Sequence, residues 1–155
     1  MIHIVLFEPE IPQNTGNIAR TCAITGSKLH LIKPLGFSID DKYLKRAGLD
    51  YWGLLKKEIH ENLDEFLGKY SKENMFFLTT KAKKIYTDIK YTEECFLIFG
   101  KETAGLPKYV HDRFNKDRFK IPMIDNPDAR SLNLSNSVNI VLYEALRQNN
   151  FMGMV

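Results

Sequence analysis

The sequence predicts an α/β fold in which a mostly parallel sheet carries helices on both faces. Three observations predict it. Short apolar runs alternate with amphipathic helical patterns along the chain. The runs are almost wholly apolar, as strands buried on both sides must be. Every unusual loop follows one of these runs, on the rim where such sheets hold ligands.

The elements follow in order. Ile2–Phe7 is an unbroken apolar run that meets Glu8 and Pro9 at once; with no basic lead-in, it reads as a buried strand rather than a signal peptide. Gly16–Thr25 is the first helical stretch, with Asn14 or Thr15 as a natural N-cap behind the stiffening Pro9 and Pro12. Lys28–Ile32 reads as the second strand, Asp41–Ala47 and Leu63–Tyr70 as helices, and Met75–Thr79 as the third strand. Phe96–Phe99, helix Lys108–Phe114 and strand Arg118–Ile121 follow. The last helix, Ser135–Gln148, sets Val138, Val141, Leu142, Ala145 and Leu146 on one face at helical spacing.

The 155 residues suit one domain spanning 1–155, and 44% hydrophobic with 26% charged residues is ordinary globular composition. A net charge of +3 permits an anionic partner without demanding one. No stretch approaches the ~20 apolar residues of a membrane span. Cys22 and Cys95 are too few and too far apart for a disulfide framework or zinc site, and read as inert thiols in a reducing cytoplasm. The G-x-G-x-x-G, Walker A and H-E-x-x-H patterns are missing. His3 and His30 fall in expected strands, His60 and His111 in helical or loop segments, so no metal is expected from four scattered histidines.

Three loops carry chemistry. The first, Glu8 to Arg20, places Gly16 and Arg20 one helical turn apart, leaving the guanidinium room beside an anionic ligand. The second runs from Gly100, where backbone can approach a ligand closely, through Glu102 to Gly105-Leu106-Pro107. The third follows Ile121-Pro122-Met123 and crowds Ser131, Asn133, Ser135, Asn136, Ser137 and Asn139 into the start of a helix, more capping residues than a structural turn needs. Such a turn offers unpaired backbone groups to a polar small molecule.

Asn14-x-Gly16-Asn17-Ile18-x-Arg20, Phe99-Gly100-x-Glu102-x-x-Gly105-Leu106 and Ile121-Pro122-Met123 with Ser131-Leu132-Asn133-Leu134-Ser135-Asn136-Ser137-Val138 resemble the three motifs of the SPOUT superfamily of RNA methyltransferases. The stretch Gly36 to Tyr51 resembles the branch that methylates the wobble ribose of tRNA, at cytidine or modified uridine. The resemblance implies a C-terminal deep trefoil knot and a homodimer. It also implies S-adenosylmethionine bound around Leu78, Thr79, Gly100, Ile121, Met123, Ser131 and Leu132, with Asn133 and Ser135 shaping the floor. Arg20 would serve catalysis with Asn14, Glu102 and Tyr143. The tRNA anticodon stem-loop would meet Lys42, Lys45 and Arg46, and Lys81, Lys83 and Lys84, with Tyr43, Tyr51, Trp52 and Tyr86 available for stacking. The alternatives are a ribosomal-RNA ribose methyltransferase and a catalytically silent RNA-binding module.

Overall fold

The computed structural model describes residues 1–71 and 74–155, apart from the side chains of 47–50. Seven strands form one sheet: β1 (Ile2–Phe7), β2 (Lys28–Ile32), β3 (Lys56–His60), β4 (Met75–Leu78), β5 (Lys84–Ile85), β6 (Cys95–Phe99) and β7 (Arg118–Lys120). Among the described residues the α-helices are α1 (Pro12–Thr25), α2 (Lys42–Trp52), α3 (Leu63–Tyr70), α4 (Lys108–Arg113) and α5 (Leu134–Gln148). The spatial order is β3-β2-β1-β6-β4-β7-β5, and every pairing is parallel.

Side-chain alternation along the strands divides the core into two layers. Ile2, Ile4, Leu6, Leu29, Leu31, Leu97 and Phe99 pack against Ile18, Ala19 and Cys22 of α1 and Val138, Val141, Leu142 and Ala145 of α5. Val5, Phe7, Ile32, Phe77, Phe96 and Ile98 meet Leu63, Phe66 and Leu67 of α3 and Val110 of α4 on the other face. Burial pushes the Cys22 and Cys95 thiols up to about 12, so both are unreactive core groups. Among the described residues, no helix is long and apolar enough to cross a membrane.

Three readings need correction. Helix α1 starts at Pro12, so Asn14 and Thr15 lie inside its first turn; proline at the helix start and a carboxylate from another loop make a side-chain N-cap unnecessary. The sequence reading passed over β3 and β5. Their residues are charged or few because both are edge strands, where only one side of the backbone is paired. Three of the four histidines are not scattered: His3, His30 and His60 are buried and bonded in a row across β1, β2 and β3.

Candidate active site

A cavity of about 620 Å³ opens at the carboxyl ends of β4, β6 and β7. Three loops wall it: Leu78–Lys81, Phe99–Leu106 and the segment from Ile121 to the start of α5. From Pro122 to Leu132, among the described residues, the backbone makes one main-chain hydrogen bond outside helices and strands, Ala129 N–H to Asn126 O at 3.0 Å. Asp128 N–H also reaches the Asn126 side chain at 2.9 Å. The other backbone N–H and C=O groups of this segment are available to a ligand.

Two helix N-termini meet at the cavity, where their unpaired N–H groups favour anions and acceptors. Asn133 caps α5, its Oδ1 accepting Ser135 N–H at 2.9 Å and Ser135 Oγ–H at 2.6 Å. Its Nδ2 donates to Asn14 Oδ1 at 2.9 Å, tying α5 to α1. The start of α1 is held by Glu102, whose carboxylate accepts Glu10 N–H at 2.8 Å and Ile11 N–H at 3.2 Å. Glu10 answers across the same junction, accepting the Thr103 hydroxyl at 2.7 Å and amide at 3.1 Å. These Thr103 bonds hold the Glu10 carboxyl below the usual carboxylate range.

Gly100 lines the cavity, and its missing side chain also serves the loop itself. A Cβ there would lie 2.2 Å from the carbonyl carbon of Gly105 and 2.5 Å from Leu106 N. Its bare Cα lets the loop fold back on itself, where Lys101 and Gly105 exchange backbone hydrogen bonds and Gly105 takes φ 64°. His111, at the cavity wall, accepts from Arg118 Nη1 at 3.1 Å through Nδ1; burial first, and the Arg118 charge second, hold it below the ordinary histidine range.

Of the residues singled out from sequence, Asn14, Leu78, Thr79, Gly100, Glu102, Ile121, Met123, Ser131, Leu132 and Asn133 line this cavity. Ser135 does not, and acts through Asn133. Arg20 is exposed on α1, its guanidinium 5.0 Å from the Tyr51 ring centre. Tyr143 is exposed on α5, nearly three turns beyond Asn133. Glu102 spends its carboxylate on α1 rather than on groups around Arg20. Ser137 of the third motif also lines the cavity, and the sequence reading missed Ile11, Thr103, His111 and Arg130 there. Arg130 adjoins the third motif and was legible from it; Ile11 and His111 carry no signal of their own.

The sequence profile of the SpoU rRNA methylase family matches residues 1–143. The chain belongs to this family. A protein of Methylovorus glucosotrophus named tRNA (cytidine(34)-2'-O)-methyltransferase is 50% identical over 156 residues, covering 100% of both chains. A solved structure described as giving insights into the 2-OH methylation of C/U34 on tRNA superposes with TM-score 0.90 at 43% identity, covering 97% of each chain. The SpoU methyltransferase AviRb of Streptomyces viridochromogenes, in complex with AdoMet, shares the fold at TM-score 0.79 and 23% identity, covering 96% of this chain and 57% of that one.

Proposed function

We propose that this chain transfers a methyl group from S-adenosylmethionine to the ribose 2'-hydroxyl of tRNA nucleotide 34, cytidine or a modified uridine. One observation carries the reading: the three motif loops converge on one cavity, at two joined helix N-termini, with free backbone groups along its third wall. The Methylovorus relative's name supports the choice of reaction.

The cavity suits the cofactor chemically. Its volume lies in the range of small-molecule sites. Leu78, Ile121 and Leu132 offer apolar flanks for an adenine, and the backbone of Met123 and Ser131 offers polar partners for its edge and the ribose. When bound, the cofactor supplies an electrophilic methyl group on a sulfonium. The protein's part is to hold the ribose hydroxyl in line with that methyl and to stabilise charge on the oxygen. A guanidinium stays cationic at neutral pH and is a poor base, so Arg20 acts as the fixed cation for the developing alkoxide or adjacent phosphate.

Arg20 does not line its own chain's cavity, which supports a homodimer in which Arg20 serves the partner's site, with Tyr143 beside it. Ile24 on α1 and Ile140 and Tyr143 on α5 leave apolar surface exposed on two helices that pack together. The proposal extends to a single cytoplasmic domain whose C-terminal part is threaded as a deep trefoil knot. The anticodon stem-loop meets exposed Lys42, Lys45 and Arg46 and the cations Lys81, Lys83 and Lys84, of which Lys81 reaches the cavity.

Ribose-methylation mapping of RNA from cells lacking the gene tests this reading: loss of the mark at tRNA nucleotide 34 is expected. Loss from ribosomal RNA instead would favour the reading carried by the family's name. Calorimetry with S-adenosylmethionine separates both from a silent RNA-binding module, which would give no heat.

A further inference from the structure

We propose that His30, His60 and Glu58 form a site for one divalent transition-metal ion, zinc by their chemistry, apart from the cofactor cavity. Strand register builds it. His30 pairs with Glu58, and Ile32 with His60, in the parallel β2–β3 ladder, so all three ligand side chains project from one sheet face. His30 Nδ1 and His60 Nε2 face each other at 3.0 Å, Glu58 Oε1 lies 3.9 Å from His60 Nε2, and one ligand atom from each residue falls within 4.8 Å of the others. Two imidazole nitrogens on a tetrahedral zinc, at ~2.0–2.1 Å each, stand about 3.3 Å apart, a small spread from this spacing. Two histidines and a carboxylate are a zinc-type donor set with a fourth position for water.

The surroundings orient the ligands toward an ion. His30 Nε2–H donates to His3 Nδ1 at 2.8 Å, and His3 Nε2–H donates to Glu94 Oε1 at 2.7 Å. That chain fixes the tautomer and leaves the His30 Nδ1 lone pair available, as carboxylate–histidine relays do behind metal ligands. Glu58 Oε2 is held by Lys28 Nζ at 2.7 Å and the Tyr70 hydroxyl at 2.8 Å. Its other oxygen takes the ammonium of Lys69, a half-exposed side chain that can swing away.

His60 supplies the deciding detail. Without an ion, its Nε2–H must donate to His30 Nδ1, and the buried Nδ1 then has no hydrogen-bond partner among the described residues. With an ion, Nε2 ligates and the ring proton moves to Nδ1, whose nearest carboxylate oxygen is Glu65 Oε1 at 3.9 Å. No proton is gained or lost, and the orphaned atom becomes a donor that faces the Glu65 carboxylate, 3.9 Å away.

The test uses untagged full-length protein stripped by a chelator and titrated with zinc chloride in a calorimeter and a thermal melt. One equivalent should bind and raise Tm. His3→Gln should weaken binding about 10–100-fold. Lys69→Met should tighten it about tenfold by removing the competing charge, while His60→Gln should abolish it. Absence of both heat and Tm shift overturns the proposal, as does binding that His60→Gln leaves unchanged. If His60→Gln does not fold, the exposed Lys69→Met decides: unchanged or weaker zinc affinity overturns the site.

Discussion

The carboxylates of Glu10 and Glu102 cross one junction in opposite directions, each onto the other loop's donors, and this exchange joins the first and second motifs. Glu102→Ala strands two amides at the start of α1 and should cost about 1 kcal/mol in urea unfolding, the usual scale for a lost cap. Asn133→Ala should cost more, up to about 2 kcal/mol, because it also releases Asn14. The two glycines of the second loop separate by mechanism. Gly100→Ala drives a methyl into backbone and should cost at least about 2 kcal/mol and lower S-adenosylmethionine affinity. Gly105→Ala meets open space and bears only the left-handed backbone penalty, about 1 kcal/mol. Equal losses for the two glycine variants would contradict this account.

At the scale of elements, the row His3–His30–His60 links three strands beneath α3. Lys28, Glu58, Glu65, Lys69, Tyr70 and Glu94 face it from β2, β3, α3 and the turn before β6. Burial, then the neighbouring His3, pushes His30 down to about 3. In the unfolded chain it takes up a proton near pH 6.5. Its stabilising contribution is therefore complete above that value and lost as pH falls toward 3, with a slope approaching about 1.4 kcal/mol per pH unit. In metal-free protein, His30→Gln should flatten the acid limb of a stability–pH curve; an unchanged limb would contradict the assignment. The sequence hid this row because it hid β3. Lys56-Lys57-Glu58-Ile59-His60 shows no apolar run, since an edge strand exposes most of its side chains. Ile2–Phe7, Lys28–Ile32 and Leu63–Tyr70 were legible to the residue, because buried runs and an amphipathic helix write their burial into composition. The start of α1 was not, because its capping carboxylate comes from a loop remote in sequence.

For the whole molecule, the three motif loops were legible as a set: glycines, amides and lone charges recur at strand ends, and the fold gathers them around one cavity. Arg20 and Tyr143 were grouped with that cavity by resemblance, and one chain leaves both outside its lining. A shared site predicts that Arg20→Ala and the cavity variant Leu132→Asp, inactive separately, regain activity when refolded together. Random pairing makes half the dimers mixed, each with one intact site, so roughly a quarter of normal activity should return if sites act independently. No recovery, with mixed dimers confirmed by native mass spectrometry, would assign Arg20 to its own chain's site. The central claim, methyl transfer to one ribose oxygen, is tested most directly with two synthetic anticodon stem-loops that differ only in a 2'-deoxy sugar at nucleotide 34. Incubated with purified protein and labelled S-adenosylmethionine, the ribose substrate should gain one methyl at nucleotide 34 and the deoxy substrate none. Labelling of the deoxy substrate, or of neither, would contradict the account.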